Sequence, residues 1–145
     1  MRKIFVLTTL IGALFVSCSK DDSNAPNETT CESVAEVVSS EDFNEINTSN
    51  YTVTDVQLNN DCLKVTISSS GCDPESWVMN VFSTDAFYTI YPYERAVKMK
   101  LVNDQDCSAV FNKTVSFDLT PFQLENQDEL PLHIEGWNKQ IIYKY

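Results

Sequence analysis

The chain of 145 residues has one histidine, no C-x2-C pair among its five cysteines, no G-x-S-x-G elbow and no EF-hand spacing. Each absence removes a class of chemistry. A zinc centre wants paired ligands at short spacing, which scattered cysteines and the lone His133 do not supply. A serine hydrolase of the elbow type needs its nucleophile in a strained turn between strand and helix. Cations are scarce: 10 Lys and Arg stand against 21 Asp and Glu, a formal net charge of -11. A surface this acidic repels phosphate backbones, which argues against a nucleic-acid partner. The apolar run from Ile4 to Val16 is roughly 13 residues, short of the roughly 20 that a permanent membrane helix requires. No internal repeat is present.

That short run does have a purpose as part of a leader. Arg2 and Lys3 precede it, and small Ser17 stands immediately before Cys18, the layout of a secretory signal peptide over residues 1–17. The junction Phe15-Val16-Ser17-Cys18 resembles a bacterial lipoprotein box, in which the cysteine is acylated and becomes the new amino terminus. Ser19-Lys20-Asp21-Asp22 resembles the export signal of Bacteroidota surface lipoproteins. The resemblance implies a palmitate-type lipid anchor on Cys18, held in the outer membrane and exposed at the cell surface. The alternative is a soluble secreted protein with an incidental Cys18. Loss of Arg2 and Lys3 with the leader takes the charge from -11 to -13, so attachment rests on acyl chains, each buried methylene contributing about 0.8 kcal/mol.

Residues 18–30 continue as SKDDSNAPNETT after the cysteine, too polar to bury a core, and read as a flexible tether. A segment of this length spans on the order of 20 Å. Residues 31–145 suffice for one domain.

Within that domain, apolar and polar residues alternate with period two. Leu63, Val65 and Ile67 share a face, as do Val97, Met99 and Leu101, then Val115, Phe117 and Leu119, then Leu130, Leu132 and Ile134. The pattern predicts half-buried antiparallel strands. Further strands are expected at Val34 to Val38, Tyr51 to Leu58, Trp77 to Phe82, Phe87 to Tyr91 and Gln140 to Tyr145. Asn59-Asn60-Asp61 reads as a tight turn and Gly136 to Lys139 as the bend of a terminal hairpin. One helical turn fits Glu41 to Ile46 behind Ser40 as cap, and nothing else looks helical. The expected fold is all-β: an antiparallel β-sandwich, immunoglobulin-like or related, with a partly open β-barrel as the alternative.

Four cysteines remain in the domain, an even number that reads as two disulfides with three possible connectivities. If Leu63 to Ser68 runs up, Cys72 lies at the top; the next strand runs down, Val97 to Val102 runs up, and Cys107 arrives at the top as well. Bonded α-carbons lie within roughly 7 Å, so Cys72 pairs with Cys107, leaving Cys31 for Cys62.

Three constellations bear on function. Asp73, Glu75, Asp104 and Asp106 flank Cys72 and Cys107, and hard oxygen donors from two loops suit Ca²⁺; the plainer reading is acidic loops on an acidic protein, with no cofactor. Tyr91, Tyr93, Glu94 and Arg95 combine rings with charges beside Pro92, as a shallow glycan or peptide site would; the plainer reading is core or edge packing, to which Trp77 belongs by parity with Met79 and Val81. His133 lies on the polar parity of its strand beside Glu135, half of an acid/base pair or simply a solvated face.

Asp61-Cys62-Leu63, Ser70-Gly71-Cys72-Asp73, Trp77, Arg95, Cys107-Ser108-Ala109, Phe117-Asp118-Leu119 and Tyr143-Lys144-Tyr145 resemble small uncharacterised surface lipoproteins of Flavobacteriia and related Bacteroidota. The resemblance implies a β-rich anchored domain and brings no activity with it. The expectation is a non-enzymatic binding or structural module, with a hydrolase using a carboxylate pair, or an inhibitor domain, as alternatives.

Overall fold

The computed structural model describes residues 30–86 and 93–145. Alternation produces strands wherever it was expected among these residues, and nine are formed: β1 (Ser33–Val34), β2 (Glu36–Val38), β3 (Thr52–Asn59), β4 (Cys62–Gly71), β5 (Val78–Thr84), β6 (Arg95–Val102), β7 (Ala109–Asp118), β8 (Glu129–Ile134) and β9 (Ile141–Lys144). The expected strand at Phe87 to Tyr91 falls on residues 87–92, outside the described ones.

The strands make two sheets, one ordered β1-β7-β4-β3 and the other β2-β5-β6-β8-β9. They are not closed into a barrel, and the fold is the all-β sandwich. Odd-numbered residues of β4, β5, β6 and β7 line the interior: Leu63, Val65, Val81, Met99 and Phe117 are at most 1% exposed. Burying one such side chain contributes roughly 1.5–3 kcal/mol.

Three features depart from expectation. The sheets are mixed: β1 runs parallel to β7, β2 to β5, and β6 to β8. Period two fixes which face a side chain takes and says nothing about a neighbour's direction. The segment Val34 to Val38 is two strands in different sheets. The chain changes sheet at Ala35, whose small side chain is 1% exposed at the crossing. Finally, two 3-10 turns occur where nothing helical was expected, at Pro74–Ser76 and Thr120–Phe122, each begun by a proline or just before one. Among the described residues one α-helix forms, α1 (Ser40–Glu45), and its cap is Ser39 in place of the expected Ser40; the Ser39 hydroxyl accepts from the Asp42 amide.

Both disulfides form as expected, with Cα–Cα separations of 5.7 Å for Cys31–Cys62 and 5.1 Å for Cys72–Cys107. The β4–β7 ladder brings the second pair together, since Gly71 lies opposite Ala109. Cys62 opens β4 and Cys72 follows its last residue, so this central strand is stapled at both ends.

Candidate functional site

The parallel pairing of β6 with β8 sets Ala96 opposite His133. Glu94 and Ala96 share a parity, so Glu94 falls on the same outward face as the imidazole. The contact is direct: Glu94 Oε2 lies 2.7 Å from His133 Nε2. Pairing of Leu132 with Ile141 brings Gln140 alongside, and its amide donates to Glu94 Oε1 at 3.5 Å. Tyr93, next in the chain, is 41% exposed. A carboxylate, an imidazole and an amide thus meet on the outward face of the five-stranded sheet. The side chains of Glu94 and His133 keep 32% and 50% of their exposure, so solvent and solutes reach both.

Of the four residues expected to bind ligand, the structure joins Glu94 to His133 and Gln140 and leaves Tyr93 exposed as its neighbour in the chain. Tyr91 lies outside the described residues. Arg95 is corrected: it is 4% exposed and points inward. Its guanidinium donates to Phe122 O at 2.9 Å, Thr84 O at 2.8 Å and Ser83 Oγ at 3.3 Å, and it lies over the Phe122 ring. Burial lowers its pKa from the ordinary arginine value. It ties the Thr120–Phe122 turn to the end of β5. The signal was its parity with Val97, Met99 and Leu101, which are interior.

The sequence sets His133 beside Glu135, but Glu135 serves elsewhere, accepting from Thr48 Oγ1 at 2.5 Å and lying 3.8 Å from Lys98 Nζ. The true partner of His133 is 39 positions away and reachable only through the parallel pairing.

At the opposite end of the sandwich, the Cys72–Cys107 bond brings the two acidic loops together, yet their carboxylates do not converge. Among the described residues no group of three or more His, Cys, Asp or Glu is placed to hold a metal ion. The centre is filled by Gln105. Its Oε1 accepts from Cys72 N at 2.6 Å, Asp73 N at 2.9 Å and Trp77 Nε1 at 3.2 Å, while Nε2 donates to Asp73 O at 3.1 Å and Ser76 Oγ at 2.6 Å. The Asp73 carboxylate caps the 3-10 turn by accepting from Glu75 N. A Cβ at Gly71 would sit 2.6 Å from Gln105 Oε1 and 2.8 Å from Trp77 Cζ2, so glycine is what admits both side chains.

A third polar cluster closes the end near Glu94. The Tyr143 hydroxyl donates to Asp61 Oδ1 at 2.5 Å and accepts from Gln123 Nε2 at 2.8 Å; Leu119 N donates to Asp61 O at 2.8 Å, and Leu124 N to Tyr145 Oη at 2.9 Å. Burial, with the Asp61 carboxylate beside it, raises the Tyr143 pKa well above the phenol range. The quoted lipoprotein-like motifs therefore resolve into packing: Asp61, Arg95, Leu119, Tyr143 and Tyr145 at one end, Gly71, Cys72, Trp77 and Cys107 at the other.

No family model and no curated protein matches this sequence. Two solved structures are similar in fold. One is a protein of unknown function, DUF1344, from Bacteroides vulgatus ATCC 8482, with a TM-score of 0.53 and 15% identity over 78% of this chain. The chain spans 56% of that protein's length. The other, from Parabacteroides distasonis ATCC 8503 and named only as a candidate toxin-related protein, has a TM-score of 0.46 and 11% identity, covering 77% of this chain and 61% of its own. At these identities the likeness concerns the fold alone.

Proposed function

We propose that this protein is a lipid-anchored binding module of the outer membrane, tethered through acylated Cys18 and presenting its sandwich domain at the cell surface to a glycan or protein ligand. The observation that carries the binding reading is the Glu94, His133 and Gln140 cluster, with exposed Tyr93 next to Glu94 in the chain. Its polar groups are open to solvent at the edge of paired strands, and binding residues on a rigid scaffold are what recognition needs. Sugars stack their C–H faces on an aromatic ring while a carboxylate and an amide bond the hydroxyls.

Anchoring is supported by the leader and by the geometry of Cys31. The chain enters the domain through a disulfide to Cys62 in the four-stranded sheet, whereas the patch lies on the outward face of the other sheet.

Two measurements test the reading. Cys18→Ser should move the protein from the membrane fraction to the medium; retention with unchanged acyl labelling would contradict anchoring. Glycan and peptide arrays probed with the wild type and with Tyr93→Ala should show binding by the first and its loss in the second, while turnover of a bound ligand would replace the module by an enzyme.

A further inference from the structure

Along one side of the sandwich the two N-terminal strands close only part of each sheet edge. β1 pairs with β7 at Phe117 and Asp118, and β2 pairs with β5 from Phe82 to Thr84. β7 runs on to Ala109 beside β4 without a break in register. The direction of its free backbone groups follows from two bonds: Ser116 N donates to Glu32 Oε2 at 2.8 Å, and Asp118 O accepts from Ala35 N at 2.9 Å. Residues 116 and 118 therefore turn their main-chain groups away from β4. Because those groups alternate along a continuous strand, Val110, Asn112 and Thr114 do the same, and no strand pairs with them among the described residues.

A groove of about 520 Å³ lies against this edge, lined among others by Glu32, Glu75, Val78, Asn112 and Thr114. Its one ammonium, Lys113 Nζ, is turned inward and donates to Pro74 O at 2.9 Å, Glu75 O at 3.2 Å and Trp77 O at 2.6 Å. The groove thus presents carboxylates and main-chain groups. Val78, which lines it, is 54% exposed, and Val110, two residues from Asn112 on the same strand, is 70% exposed. An unpaired edge flanked by open apolar side chains is a template for another strand. β3, the edge strand on the far side of the same sheet, is interrupted between Val53 and Asp55 and carries the Asp55 charge, both devices that blunt an edge.

We propose that the β7 edge from Val110 to Thr114 takes up an extended, basic segment of a partner protein as an added strand, with apolar residues at alternate positions. Glu32, Glu75 and the net charge of -11 favour a cationic strand and disfavour a second copy of this acidic chain. The inference is independent of the Tyr93 patch.

The test uses the chain with both disulfides intact. The probe is an acetylated, amidated nonapeptide of alternating valine and lysine, and the control replaces its lysines by glutamate. The lysine probe should bind and shift the amide resonances of Val110, Asn112 and Thr114. Asn112→Pro removes an N–H that β4 does not use, which an edge position tolerates. It should keep the melting temperature and weaken binding at least about tenfold, the loss of one or two main-chain bonds with steric blocking added. Val110→Lys leaves the backbone intact and should also weaken binding, which keeps the test decisive if the proline variant misfolds. Absence of binding at millimolar probe, equal binding of the glutamate control, binding unchanged in both variants, or self-association through the same amides would overturn the proposal.

Discussion

The two sheets are held by different means. In the four-stranded sheet both disulfides terminate on or beside β4, so its central strand is covalently fixed at each end. The five-stranded sheet contains no cysteine. Side-chain bolts hold it instead: Arg95 clamps the turn before Gln123 to the end of β5, and Tyr143 reaches across to Asp61. The candidate patch lies on this second sheet. The covalent staples and the candidate patch are therefore placed in separate layers, so each should be open to perturbation with little effect on the other.

The largest effect should come from removing both covalent staples. The bonds span nearly equal separations, 31 and 35 residues, and chain entropy assigns each about 3.5–4 kcal/mol. A domain with a total stability of roughly 5–15 kcal/mol should lose most of its cooperative unfolding transition when all four cysteines become serine, as followed by denaturant titration. The two single-bond variants should differ little; a large difference would show that native-state strain or residual unfolded structure matters more than loop length.

Next in size is Arg95→Met, which keeps volume but orphans the Phe122 and Thr84 carbonyls. Each unsatisfied buried acceptor costs about 1–3 kcal/mol, so a loss of about 3 kcal/mol is expected in the same titration. A near-neutral result would remove the clamp from the account. Gln105→Leu should cost about 2 kcal/mol, because Cys72 N, Asp73 N and the Trp77 indole lose their acceptor at a partly wet site. The Trp77 fluorescence should also change.

A smaller effect should appear in alkali. Burial pushes the Tyr51 hydroxyl up to about 12, with nearby Glu135 acting in the same direction, and burial raises Tyr143 likewise. A phenol raised in the folded state is neutral there while the unfolded chain ionises from about pH 10. Its contribution is intact below pH 10 and declines as pH climbs toward the folded value. Melting temperatures should be level up to about pH 10 and fall above it, more shallowly in Tyr51→Phe/Tyr143→Phe. An equal slope in that variant would assign the decline to other groups.

Much of this layered arrangement is legible in the residues. Leu63, Val65 and Ile67 announce an interior face, and the cysteine pairing follows from strand direction once the expected strand at Phe87 to Tyr91 is left out of the count. The sheet change at Ala35 is not, because Val34 to Val38 carries no glycine, proline or turn residue and reads as one β-rich stretch. Parallel neighbours are equally silent in a single chain, which is why Glu94 and His133 could be named separately and not as a pair. Arg95 departs from expectation because a charge beside Pro92 and Tyr93 suggests surface, whereas its parity with Val97 and Met99 points inward. Gln105 had no signal at all: an amide between two aspartates looks like loop, and its part as a plug comes from Gly71 leaving room for it.

The separation of stability from recognition is tested most directly by carrying two variants through the same pair of assays, thermal melting and array binding. Glu94→Ala/His133→Ala should lose ligand binding while melting within a few degrees of the wild type. Cys31→Ser/Cys62→Ser should melt far lower yet, below that temperature, still bind. Full binding by the Glu94 and His133 variant, or loss of binding by the folded cysteine variant, would contradict the account.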